Sequence, residues 1–187
     1  MAEILVWGDQ NNPSVFDFFL DKNLFVLFLE LLNMKGVPYV KMQLLQCLNI
    51  IFENIRNESS LYYFMSNNYI NNVITHKYDF SNEEILAYYI SFMKTLSFRL
   101  SPSTISFFYN EHQEDFPLYS EAIKFFNHKE SMVRIAVRTI VLNIFKVERV
   151  RAQVCRALTT TSQPHIPCVY HYNTNYPAVN LTLNPKP

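Results

Sequence analysis

An all-α fold is what this sequence predicts, on three observations. Only two glycines, Gly8 and Gly36, occur in 187 residues, too few for the tight hairpin turns that an all-β fold needs. Apolar residues recur at three- and four-residue spacing in several runs, which places them on single helix faces. The strongest of these runs begin at a nearly constant interval, as in arrays of stacked helices. With 49% hydrophobic and 16% aromatic content, the chain can also build one core of its own.

The elements follow in order. Asn12 before Pro13 is a cap followed by a first-turn proline, opening a short helix through Phe16 and Leu20. The apolar run at 24–32 makes a second helix that ends near Met34, with Gly36 as its stop. Pro38 sets the start of a third, whose Val40, Leu44, Leu48, Ile51 and Ile55 share one face. Short helices are expected at 61–66 and 69–76, and the aromatic cluster SLYYFMSNNYI that spans them reads as core rather than as a partner groove. Ser81 followed by Glu84 predicts a capping box, continued by a stripe of Ile85, Tyr89, Phe92, Met93 and Leu96.

A further short helix is expected at 116–126, with the adjacent acids Glu114 and Asp115 serving its N-terminus. On a helix at 131–147, Val133, Ala136, Val137, Ile140, Ile144 and Val147 form a core arc, while Met132, Ile135, Leu142 and Phe145 point elsewhere. Apolar residues outside one stripe predict packing against more than one neighbour.

The three strongest helices start near Val37, Ser81 and Glu130, about 44 and then about 49 residues apart, close to the armadillo and HEAT period of roughly 40 to 47. The expected architecture is a short armadillo/HEAT-like α-solenoid. The run SMVRIAVRTIVL resembles the second helix of HEAT repeats, where a Val-Arg pair precedes Ala and spaced aliphatics. Residues 148–158 read as a helix extension. From Thr159 onward, prolines, threonines and asparagines without helical period predict a disordered C-terminal tail, 159–187.

Composition excludes several function classes. Sixteen Lys plus Arg balance sixteen Asp plus Glu, so no net field favours a nucleic acid or an anionic membrane. The opening MAEILVWGDQ lacks the basic residues and long apolar core of a secretory signal, and the run at 24–32 carries Glu30 and is far shorter than the roughly 18 residues of a membrane span. We expect a cytosolic chain with Cys47, Cys155 and Cys168 as reduced thiols rather than a disulfide framework. Neither glycine has a second within reach, so no phosphate-cradling loop is present.

Cys155, His165, Cys168 and His171 are zinc-ligand types, but two prolines interrupt a polar segment with no small core to brace them. We expect no metal and no cofactor. His128 lies in a turn between helices with no Ser or Cys nucleophile spaced to recruit it. Arg134 and Arg138 share a helix face. They either pair with Glu130 and carboxylates of a neighbouring repeat or present two guanidinium forks to an acidic partner, and we expect the structural role.

Several long strings, QLLQCLNIIFENI, SLYYFMSNNYINNVI, FSNEEILAYYISFMKTLS, FFYNEH and FPLYSEAIKFFNHKESMVRIAVRTIVLNIFKV, stand here in an order that resembles the FPL domain. That domain is the N-terminal module of a family with animal endosomal-maturation and plant vacuolar-trafficking members. Phe116, Pro117 and Leu118 match the motif behind its name. The resemblance runs from about Ile4 to Val147, so residues 1–147 are assigned to the domain.

It implies a cytosolic protein, peripheral on endosome, lysosome or Golgi membranes, that promotes endosome-to-lysosome transport, autophagy and mitophagy. Its implied partners are the class C tethering machinery and, in animals, ubiquitin ligases. Two departures lead us to expect a shortened product: the chain starts inside the usual domain, and ERVRAQVCRALTTTSQPHIP after Val147 resembles nothing in the family. We expect a non-enzymatic scaffold. A ubiquitin ligase or ligase subunit is a poorer match, because a RING needs about eight Cys and His ligands in a fixed frame. A direct membrane binder is the other alternative.

Overall fold

Local signals set most of the helix boundaries in a computed structural model that describes residues 1–34, 38–109 and 115–147. Helices α1 (Ala2–Asn11), α2 (Pro13–Asp21), α3 (Leu24–Asn33) and α4 (Pro38–Asn54) lead into α5 (Glu58–Met65), α6 (Tyr69–Thr75) and α7 (Glu83–Phe98). After a 3-10 turn at Ile105–Phe108 come α8 (Pro117–Ile123) and α9 (Ser131–Lys146). The all-α expectation therefore holds for the described residues. Gly36, Glu114, the extension at 148–158 and the tail at 159–187, with Cys155, His165, Cys168 and His171, lie outside them.

The caps follow the expected chemistry with one correction. Asn12 accepts the Ser14 N–H at 3.1 Å and Pro13 fills the first turn of α2. At α7 the cap is Asn82, not Ser81: its Oδ1 accepts from the N–H groups of Glu84 and Ile85. Ser81 lies one residue too early, and its own N–H is taken by Asp79 Oδ1. Asn23, Asn67 and Asn68 adopt left-handed backbone at helix junctions, the conformation asparagine tolerates best after glycine. The scarcity of glycine thus does not prevent tight turns.

Helix α1 has no counterpart in the sequence reading, which begins its helices at Asn12. Gly8 interrupts its apolar pattern, and packing explains why: a Cβ there would lie 2.6 Å from Val15 Cβ and 2.7 Å from Val15 Cγ1. Gly8→Ala is expected to cost a net 1 to 2 kcal/mol or so, because overpacking against a short branched side chain exceeds the helix propensity gained. Urea unfolding checks this, and an alanine variant as stable as the parent would show that α1 and α2 part freely.

The helices pack in two rows. Helices α1, α4, α7 and α9 lie side by side in that order, and α3, α6 and α8 follow one another beneath them, with α3 touching α4 and α8 touching both α7 and α9. The core runs between the rows and continues into α2 and α5, whose Phe16, Phe19 and Phe64 are buried in it. Leu44, Leu48, Ile51 and Ile55 are buried as expected, as are Ile85, Tyr89, Phe92, Met93 and Leu96, while Val40 is only half-buried. Phe64, Met65 and Ile70 of the aromatic cluster are buried core.

Polar side chains stitch one helix to the next. Arg99, at the end of α7, donates from Nε to Phe52 O at 2.7 Å and from Nη2 to Glu53 O at 2.8 Å, closing carbonyls in the last turn of α4. Asn49 donates to Tyr88 O, and Asn143 donates to Ser97 Oγ. Each α4–α7 and α7–α9 contact thus carries a fixed register as well as apolar burial.

Candidate functional site

The Phe116–Pro117–Leu118 motif is a structural device. Phe116 and Leu118 are 2% and 0% exposed, and Pro117 is buried at the first turn of α8. Asp115 Oδ1 accepts from the Phe116 N–H at 2.7 Å and from Ser120 Oγ at 2.6 Å, so the acid serves the helix start. Phe116 meets the Phe108 ring of the preceding 3-10 turn at 6.3 Å, and the buried motif presents no binding surface to solvent.

Arg134 and Arg138 separate, although they are one turn apart. Arg134 Nη1 donates to the carbonyls of His128 and Lys129 at 2.7 and 2.8 Å, and His128 Nδ1 accepts the Glu130 N–H at 3.2 Å. Arg134 therefore braces the α8–α9 turn through carbonyls, not through Glu130 or a neighbouring carboxylate as expected. Arg138 is exposed, with its guanidinium 5.7 Å from the Phe126 ring centroid. Reversal to Glu should distinguish the two. Arg134→Glu should lower stability by about 1 to 3 kcal/mol by freeing two carbonyls, whereas Arg138→Glu should leave the melt within about 0.5 kcal/mol. Equal thermal shifts in the two variants would refute that division of roles.

Around Arg138 lies the feature that the helical period signalled but did not resolve. The core arc of α9 is buried at Val133, Val137, Ile140 and Ile144, with Ala136 only half-buried. Phe145 is half-buried and meets Tyr119 edge-on at 5.9 Å. Met132, Ile135 and Leu142 are 75%, 58% and 59% exposed. The expected second neighbour is α8, and it covers Phe145 but not the other three, because α9 is the last described helix of its row.

A groove of about 470 Å³ opens where α3 and α6 end, lined by Leu29, Leu32, Asn33, Asn72, Thr75, His76 and Lys77. Lys41 Nζ lies 3.0 Å from His76 Nε2. The ammonium has only donors, so this imidazole nitrogen is an acceptor and the ring is neutral. Burial and then the Lys41 charge hold the His76 pKa below its ordinary value. The unfolded chain therefore binds the proton more readily, and stability should fall as pH drops below about 6.5. His76→Gln should flatten that slope in melts between neutral and mildly acidic pH, and an unchanged slope would assign it to other groups.

Among the described residues, no group of three or more His, Cys, Asp or Glu side chains gathers to hold a metal ion. No described helix is long and apolar enough to cross a membrane. Burial raises the Cys47 thiol pKa, which keeps it protonated, and the Tyr89 hydroxyl, also raised by burial, donates to Ile74 O at 2.8 Å.

Over the described residues, these features define an all-helical protein of two packed rows that leaves apolar side chains exposed on one face of α9. The model of the FPL family, described as an uncharacterised conserved protein, matches residues 1–145, and the chain belongs to that family. It is similar to Protein CLEC16A of Homo sapiens, with 68% identity over 147 residues covering 79% of this chain and 14% of that protein. The CLEC16A homolog of Drosophila melanogaster is 63% identical over 150 residues, covering 79% of this chain and 14% of that protein. Protein TRANSPARENT TESTA 9 of Arabidopsis thaliana is 41% identical over 150 residues, covering 79% of this chain and 18% of that protein. The chain thus spans less than a fifth of the length of these relatives. No solved structure matches it.

Proposed function

We propose that this chain is a non-enzymatic scaffold for protein–protein contacts in endosome-to-lysosome transport, autophagy and mitophagy, acting from the cytosol at endosome, lysosome or Golgi membranes. The observation that carries the reading is the family match over residues 1–145, since family resemblance implies that pathway and, as partners, class C tethering proteins and a ubiquitin ligase. The architecture we infer is a short armadillo/HEAT-like solenoid. The α1–α4–α7–α9 row supports it, as do the starts of α4, α7 and α9 at residues 38, 83 and 131, about one repeat apart. Stacked rows of this kind offer long continuous surfaces to other proteins.

Proximity labelling with the full chain tests the proposal, and enrichment of tethering and autophagy proteins over a scrambled control is the expected result. Ubiquitin chains formed by the isolated chain with a charged conjugating enzyme would replace it with the ligase reading. Flotation on anionic liposomes that weakens with salt, without protein capture, would replace it with the membrane reading.

A further inference from the structure

Helix α9 contains Arg134, Arg138 and Lys146 but no Asp or Glu. Arg134 is engaged by carbonyls, and Lys129 just before the helix lies 3.2 Å from Glu83. Arg138 and Lys146 have no acidic partner among the described residues. Arg138 stands between Ile135 and Leu142, so the exposed apolar stripe from Met132 to Leu142, about 15 Å long, has a cation beside its middle and another beyond its C-terminal end.

We propose that this outer face of α9 docks an amphipathic helix of a partner protein, whose apolar stripe covers Met132, Ile135 and Leu142 and whose flanking carboxylates meet Arg138 and Lys146. The inference rests on the scaffold reading above and names the chemistry of one partner surface. Charge selects this occupant. A second copy docked α9 to α9 in antiparallel fashion would bring Arg138 close to its own counterpart, because the residue sits near the middle of the stripe. The chain's own residues 148–158, ERVRAQVCRAL, carry three arginines and one glutamate and would set like charges against Arg138 and Lys146. An anionic membrane would gain only about 1 kcal/mol from each of two cations. An acid-flanked helix satisfies the apolar stripe and both cations together.

The test uses the full chain and two fluorescent peptides of about five helical turns with the same leucine stripe, one flanked by glutamates and the other by lysines. The glutamate peptide should bind at least tenfold more tightly. Arg138→Glu should weaken it by roughly tenfold or more, as expected on losing one charge-assisted contact. Leu142→Asp should abolish binding while leaving the melt unchanged, since Leu142 is exposed.

Equal binding of the two peptides, or binding indifferent to Leu142→Asp, overturns the proposal. So does self-association in sedimentation that Leu142→Asp abolishes, which assigns the face to a second copy. Tighter peptide binding by a Val154→Asp, Leu158→Asp chain assigns it to residues 148–158. Vesicle flotation lost in Leu142→Asp, without peptide binding, assigns it to a membrane. If peptide binding fails while the Leu142→Asp chain still labels the same trafficking proteins, the docking face falls and the scaffold reading stands.

Discussion

Ile140→Asp is expected to prevent folding, and Ile140→Ala to cost about 2 to 5 kcal/mol through lost burial and the cavity left behind. Ile140 is 0% exposed on the inner face of α9, where that helix packs on α7 and α8. A buried carboxylate there would have no partner, and its desolvation approaches the whole stability of an ordinary domain, about 5 to 15 kcal/mol. Ile135 is the control on the same helix. It is 58% exposed, so Ile135→Asp should shift the unfolding midpoint very little. Denaturant unfolding of the three variants reads out the orientation of α9 directly. A soluble Ile140→Asp protein with a cooperative, parent-like melt would mean that α9 faces the other way.

Phe64→Ala should be as damaging, at about 3 to 5 kcal/mol, for a different reason. The ring is fully buried and lies within 5.4 to 5.8 Å, centroid to centroid, of Phe16 in α2, Phe25 in α3, Phe52 in α4 and Tyr63 beside it. Phe19 of α2 lies 5.5 Å away. All five of these pairs are tilted or edge-on, arrangements that add to the gain from burial alone. One side chain thus holds together the helices of the N-terminal half, and its loss opens a cavity that several rigid neighbours cannot fill together. Phe64→Leu should recover much of the loss. A Phe64→Ala protein destabilised by less than about 1 kcal/mol would show that the half collapses around the gap.

Helix positions and inward faces were legible in the sequence because both are local properties. The Asn12–Pro13 start of α2, the Pro38 start of α4 and the apolar stripe of α7 depend on residues within a turn or two. Ser81 misled because Ser81–Glu84 and Asn82–Ile85 offer competing cap registers one residue apart, and Asp79 settles the choice by binding the Ser81 N–H. Helix α1 escaped notice because its central glycine lowers helix propensity, and the compensating gain, the approach of Val15, belongs to another helix.

The candidate site divides along the same line. Spacing placed Arg134 and Arg138 on one face and put Met132, Ile135 and Leu142 off the core arc, and the string FPLYSEAIKFFNHKESMVRIAVRTIVLNIFKV carried the family. Tertiary structure decided that Arg134 binds carbonyls of the preceding turn while Arg138 stays exposed. It also decided that α8 reaches Phe145 but not the three residues beyond. Periodicity can say that a residue is apolar and which way it points. Whether it is covered depends on where a helix distant in sequence comes to lie, and that is fixed by the packing of the whole row.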